Sequence, residues 1–125
     1  MSESFNGPAG HQFSFPDNTK VSWSVVSQSA GVQQMQVLDP NGHVIVDTSV
    51  LSTTMENVSS GQFNVGGGGT YTVKFPTDHS VMYDTATINT GRETVSETIL
   101  FAGEDGTDND YNDVFATMTW FARLG

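Results

Sequence analysis

Cysteine is missing altogether, and lysine and arginine together number four in 125 residues. The first absence excludes disulfides, thiolate metal sites and cysteine nucleophiles. The second leaves fourteen Asp and Glu residues almost unopposed, for a formal net charge of −10. Such a chain repels phosphate backbones and anionic surfaces, so no nucleic-acid partner and no membrane insertion are expected. No apolar run approaches the roughly 20 residues that cross a bilayer. Met1-Ser2-Glu3-Ser4 has neither the basic nor the apolar region of a classical signal peptide. A soluble chain, cytoplasmic at synthesis, is therefore expected. Helical patterning is lacking too, since no stretch of ten or more residues shows the 3.6-residue period.

What is present is a globular composition, 36 % hydrophobic and 10 % aromatic, in a length that suits one domain over 1–125. After a polar lead-in (1–12), short segments alternate apolar and polar residues in the manner of half-buried strands. Nine are legible: Phe13–Phe15, Lys20–Val26, Val32–Leu38, Val44–Val46, Gln62–Val65, Tyr71–Phe75, Val81–Ile88, Thr94–Ala102 and Val114–Phe121. Pro16-Asp17-Asn18 and Asp39-Pro40-Asn41-Gly42 are turn signals, the second favouring a hairpin. Gly66 to Gly69 lacks the Lys-Ser/Thr of a phosphate loop and any following helix, and is expected to be a hairpin loop. The pattern predicts an all-β fold, an antiparallel β-sandwich of about nine short strands.

One stretch stands apart: Glu104-Asp105-Gly106-Thr107-Asp108-Asn109-Asp110-Tyr111-Asn112-Asp113. Five of its ten residues are carboxylates, two are side-chain amides, and none is basic. Two like charges 4 Å apart repel by roughly 4 kcal/mol at an effective dielectric of about 20. A loop that gathers several carboxylates needs protons, a basic partner or a cation. Ca²⁺, which takes six to eight oxygen ligands, suits the donor set. The EF-hand spacing does not fit: Asp108, Asp110 and Asn112 fill its first three ligand positions, but Asp113 replaces the glycine and Thr119 the closing glutamate. Two other arrangements remain. Asp110 and Asp113 can bridge two ions, with Glu104 and Asp108 completing one site and Asn112 with a backbone carbonyl the other. Alternatively, a single structural ion pins the loop.

The acidic motif, followed by a strand, Trp120 and a terminal Leu124-Gly125, resembles the calcium-mediated bacterial lectins of the PA-IIL type, which bind fucose and mannose. Phe13–Thr19 and Ser27-Gln28-Ser29-Ala30-Gly31 resemble that family's first strand and sugar-specificity loop. The likeness covers roughly 13–38 and 99–125, and the middle agrees only in its strand pattern. It implies a single calcium-dependent lectin domain acting at the cell surface or outside the cell on fucosylated or mannosylated glycans, as a homodimer or higher oligomer. It implies two Ca²⁺ per sugar site, the first held by Glu104, Asp108, Asp110 and Asp113. The second is held by Asp110, Asn112, Asp113, the backbone carbonyl of Gln28 and a partner's C-terminal carboxylate at Gly125. Sugar contacts fall to Ser29, Ala30, Gly31, Glu104, Asp105, Asp108, Asp110, Asn112 and Asp113. Serine at Ser29, the first place of the specificity loop, leans toward fucose. One departure concerns the C-terminus: the family ends Trp-Pro-Leu-Gly, whereas five residues follow Trp120 here. Each extra residue adds up to about 3.3–3.6 Å of reach, which puts the partner-completed site in question.

Other candidates are weaker. His11, His43 and His79 have no ligand spacing and are expected at the surface, while Trp23 and Trp120 sit in alternating strands and are expected in the core. Paired carboxylates can hydrolyse glycosides, but these are packed into one loop without an apolar niche, so no enzyme is expected. The competing reading is a Ca²⁺-stabilised β-sandwich with a structural or adhesive role and no sugar site. The Ser27–Gly31 loop, which such a module does not need, separates the two.

Overall fold

A computed structural model describes residues 2–122. Ten strands follow one another: β1 (Glu3–Phe5), β2 (His11–Phe15), β3 (Lys20–Ser27), β4 (Ser29–Leu38), β5 (Val44–Ser52), β6 (Val58–Asn64), β7 (Gly69–Lys74), β8 (Ser80–Asn89), β9 (Thr94–Glu104) and β10 (Val114–Phe121). No helix occurs among the described residues. Every pairing is antiparallel, in a six-stranded sheet ordered β1-β8-β9-β10-β3-β6 and a four-stranded sheet ordered β2-β7-β4-β5. This is the all-β sandwich that the alternation predicts.

The tenth strand is the one that the sequence hides. Residues 1–12 are expected as a loose lead-in, yet Glu3, Ser4 and Phe5 pair with Tyr83, Met82 and Val81. Three residues are too few to show a period, so their strand state is set by the edge of β8. The glycine run also differs from expectation. It does not close a hairpin, because β6 belongs to one sheet and β7 to the other, and residues 65–68 carry the chain between them. The Asp39–Gly42 turn does close a hairpin, with the N–H of Asp39 donating to the His43 carbonyl at 2.8 Å and Gly42 at φ 83°.

The core lies between the sheets. Val21 and Val25 from β3, Ile99 and Phe101 from β9, and Ala116 and Met118 from β10 meet Met35, Val37 and Val73 of the other sheet, all at most 1 % exposed. Aromatic edges lock the two layers, as where Phe13 meets Phe101 with centroids 5.5 Å apart and planes at 86°. Trp120 is buried; Trp23 is half-buried, its indole covering Gly61, where a Cβ would lie 2.6 Å from the ring. His43 and His79 are exposed as expected. His11 is not: it is half-buried, stacked on Phe5 at 5.5 Å and hydrogen-bonded to the Tyr83 hydroxyl at 3.1 Å.

This topology gathers three loops at one end. The chain steps from β3 to β4, and so between sheets, through the single residue Gln28. Beside it, β9 runs into the acidic loop and β10 leaves it, Val114 pairing with both Ser27 and Gly103. The β7–β8 connection closes the third side, the N–H of His79 donating to the Glu104 carbonyl at 3.0 Å.

Candidate functional site

Glu104 ends β9 with no solvent exposure. Its Oε2 accepts the N–H of Gly106 at 2.9 Å, and its Oε1 accepts that of Tyr111 at 2.9 Å. The loop can double back in this way because Asn109 and Tyr111 take positive φ, 55° and 53°. Asparagine tolerates that region, whereas tyrosine is strained there. The strain is held by two bonds, the Tyr111 N–H to Glu104 and the Tyr111 hydroxyl to Ser80 Oγ at 3.0 Å. At the neck of the loop the N–H of Asp113 reaches the Gly103 carbonyl at 3.2 Å. The N–H of Asp105 donates to Asp113 Oδ2 at 2.9 Å.

The fold brings four of the five loop carboxylates together. Glu104, Asp108, Asp110 and Asp113 each offer an oxygen, and these oxygens lie within 4.8 Å of one another. Their electrostatics reflect the crowding. Burial opposes ionisation of Glu104, but the N–H donors of Tyr111 and Gly106 and the side chains of Asp113 and Asp108 together bring its pKa down to about 2. Desolvation, then Glu104 and Asp108, push Asp110 up. Asp113 is raised to about 6, by desolvation first, with Glu104 and Asp105 adding to it against the pull of the Asp105 N–H. Beneath them Asp78, fully buried, is raised to about 7 by burial first and then by the charges of Asp105, Asp113 and Glu104, against the Thr77 hydroxyl. An ionised Glu104 beside Asp110 and Asp113, both driven toward their neutral form, is a donor set short of positive charge. An all-oxygen cluster of this kind fits a hard divalent cation.

Gln28 and Asn112 adjoin the cluster. They line one cleft of about 200 Å³ together with Tyr111 and Met55. The Gln28 N–H donates to the Asp113 carbonyl at 3.0 Å, which ties the sheet-crossing residue to the acidic loop. Ser29 lies on the other side of the crossing, its Oγ donating to Asp105 Oδ2 at 2.9 Å and accepting the Gly31 N–H at 3.1 Å. Gly31 lies beside the same carboxylate, 3.7 Å from Oδ2 to the place of a Cβ. Ala30 is exposed between them. Strand pairing is interrupted here, the β4–β5 register shifting between Ser29 and Gln33, so the loop bulges out at the very start of β4. Gly125 lies outside the described residues.

Three neighbours of the site escape sequence reasoning. Gln33, fully buried, donates through Nε2 to Asp105 Oδ2 at 2.6 Å. His79 donates through Nε2 to the Gly106 carbonyl at 2.6 Å, and Asp78 packs under Gly103. Only Gln33 leaves a signal: it shares the inward parity of Met35 and Val37, where an amide is out of place. Nothing in Pro76-Thr77-Asp78-His79 marks that turn as the floor of a site.

Comparison with known proteins shows the family of the chain. The model of the fucose-binding lectin II (PA-IIL) family matches residues 13–122, and the chain belongs to that family. Its members are lectins, which bind carbohydrate without turning it over, and they depend on calcium. Among solved structures, the high-affinity mannose-binding lectin of Ralstonia solanacearum is similar at TM-score 0.70 and 27 % identity, covering 91 % of this chain and 96 % of that one. A Chromobacterium violaceum lectin solved in complex with alpha-methyl-fucoside gives 0.68 at 22 % identity, covering 91 % and 96 %. The C-terminal domain of a Burkholderia cenocepacia lectin gives 0.71 at 19 %, covering 98 % and 100 %. These last two establish likeness of fold alone. No curated protein matches the chain. Among the described residues no helix is long and apolar enough to cross a membrane.

Proposed function

We propose that the chain binds fucose- and mannose-type sugars through two Ca²⁺ ions held in the 104–113 loop. The observation that carries this reading is the junction of two features, the four carboxylate oxygens within 4.8 Å and the Ser29–Asp105 hydrogen bond. A purely structural cation site needs the first and has no use for the second. Glu104, Asp108, Asp110 and Asp113 hold one ion in this reading. Asp110 and Asp113, with Asn112 and the Gln28 carbonyl, would hold the second. Bound there, the ions would supply Lewis-acid attraction for neighbouring sugar hydroxyls.

The protein's own part is to orient the ligand. Asp105 stands exposed at the rim and accepts a sugar hydroxyl, a bond strengthened by the charge on the carboxylate. Asp108 acts likewise from the loop. Ser29, Ala30 and Gly31 continue the wall that Asp105 begins and select among sugars by what they leave open. Mannose, the ligand of the similar Ralstonia solanacearum lectin, is consistent with one of the two sugars of this reading. Single sites of this size bind weakly, so assembly into a homodimer or higher oligomer, with Gly125 completing a partner's second calcium site, would supply avidity toward glycans at the cell surface or outside the cell.

Titration calorimetry with L-fucose and with D-mannose, in excess Ca²⁺ and after chelation, tests the proposal. Binding of either sugar that disappears with the chelator is the expected result. A calcium-binding chain that ignores both sugars would leave the structural module in its place.

A further inference from the structure

We infer that Gln33 is a positioning residue for sugar binding, its buried amide fixing the Asp105 carboxylate so that one oxygen is left for the ligand. The inference rests on the lectin reading of the site and adds to it a residue from the core side of β4. Gln33 has no solvent exposure and lies on the inward face beside Met35 and Val37, both also at 0 %. Its Nε2 donates to Asp105 Oδ2 at 2.6 Å and makes a longer contact of 3.5 Å with the Gly31 carbonyl. Its Oε1 is buried and has no hydrogen-bond partner.

That orphan oxygen gives the position its meaning. A buried carbonyl without a donor is a standing cost to folding, and an apolar side chain of the same size would avoid it. The amide orientation is fixed as well, since the reverse would set Oε1 against a carboxylate oxygen. What the amide gains in return is the bond to Asp105, and this is a bond to an exposed residue of another loop.

The geometry of Asp105 shows what the bond achieves. Ser29 Oγ and Gln33 Nε2 both donate to the same oxygen, Oδ2, from two sides, 2.9 and 2.6 Å away. The N–H of Asp105 is tied to Asp113. Two donors on one oxygen and an anchored backbone hold the carboxylate in one rotamer. Among the described residues no N–H or hydroxyl donor of the chain is spent on Oδ1; the neighbouring group is the Asp113 carboxyl, and Oδ1 is assigned to the ligand. Preorganisation of this sort raises affinity by removing the ordering that binding would otherwise require.

Gln33→Met keeps the length of the side chain and deletes the donor. Calorimetry with L-fucose and D-mannose at saturating Ca²⁺ should show both sugars about tenfold weaker, the worth of one charge-assisted hydrogen bond. Ca²⁺ titration should stay within about twofold of wild type, because Asp105 is not placed among the ion ligands. The thermal midpoint should not fall, since the variant also removes the orphan carbonyl. Undiminished sugar affinity overturns the inference, and so does a loss of sugar affinity that Ca²⁺ affinity and thermal midpoint follow in step. Gln33→Leu carries the same comparison where the methionine variant does not fold. A wild-type chain that binds neither sugar removes the lectin reading and this inference with it, whereas wild-type binding with an unaltered Gln33→Met removes this inference alone.

Discussion

Ser29 and Asp105, 76 positions apart in the chain, are joined by a 2.9 Å hydrogen bond from Oγ to Oδ2. The bond makes the bulge at the start of β4 and the acidic loop after β9 one wall. It also means that the two cannot be altered independently. Ser29→Ala removes the hydroxyl that braces Asp105 and that accepts the Gly31 N–H. We expect the ratio of fucose to mannose affinity to fall by about threefold to tenfold, the range of one modest hydrogen bond. Parallel calorimetry with the two sugars measures the ratio, and an unchanged ranking would take Ser29 out of the selection of sugar.

Asp110 distinguishes two ions from one. In the bridging arrangement it serves both, so Asp110→Ala should abolish both Ca²⁺ binding events and reduce sugar affinity by more than about a hundredfold, as loss of a charged ligand to a metal site implies. Asp108 serves only the first ion in that arrangement. Asp108→Ala should therefore leave residual Ca²⁺ binding that Asp110→Ala lacks. Equal calcium stoichiometry in the two variants would contradict the shared bridge.

The carboxylate cluster predicts an unusual response to acid. Asp78 and Asp113 have folded pKa values of about 7 and about 6, above the ordinary 3.8. The folded chain thus binds more protons than the unfolded one between these limits, and stability falls as pH rises through them. Glu104 acts oppositely: at about 2 instead of 4.5, it stabilises above its ordinary pKa and loses that contribution as pH falls toward 2. The chelated protein should therefore gain thermal stability as pH is lowered from about 7.5 to about 4.5 and lose it again below. With Ca²⁺ present, the ion takes the place of the protons. The gap in melting temperature between loaded and chelated protein should then be widest near pH 7.5 and close as Asp113 protonates. Differential scanning calorimetry across pH, with and without chelator, measures both curves, and a chelated form that is most stable at about pH 7.5 would contradict the crowding argument.

Much of this architecture was written locally. Alternation at Val21, Trp23 and Val25 fixed the inward face of β3, and the Asn41-Gly42 pair fixed a hairpin, because both depend on neighbours in sequence. The cluster of Glu104, Asp108, Asp110 and Asp113 was legible for the same reason, all its members lying in one ten-residue loop. What stayed hidden depended on partners far away. β1 exists only because β8 offers an edge, and the glycine run joins two sheets because β6 and β7 pair with different strands. His11 lies in an aromatic cluster that no spacing in sequence announces. Gln33 was half legible: its inward parity was visible, but its partner Asp105 lies 72 residues on.

Gly7 shows how far from the loop the site's support extends. It is buried before β2, and its carbonyl accepts the Phe75 N–H at 2.9 Å. A Cβ at this position would overlap the backbone carbonyl oxygens of Asp78 and Phe75. Those atoms belong to the β7–β8 turn, which holds Glu104 through the His79 N–H and packs Asp78 beneath Gly103. Backbone cannot yield as a flexible side chain does, so Gly7→Ala must displace the turn. We expect a loss of about 1–3 kcal/mol in stability from overpacking, measured by denaturant unfolding with chelator present. Because the displaced turn is the floor under the carboxylates, Ca²⁺ affinity should weaken as well, although Gly7 touches no proposed ion ligand. A variant that loses stability yet binds Ca²⁺ as tightly as wild type would show that the acidic loop holds its shape without the β7–β8 turn.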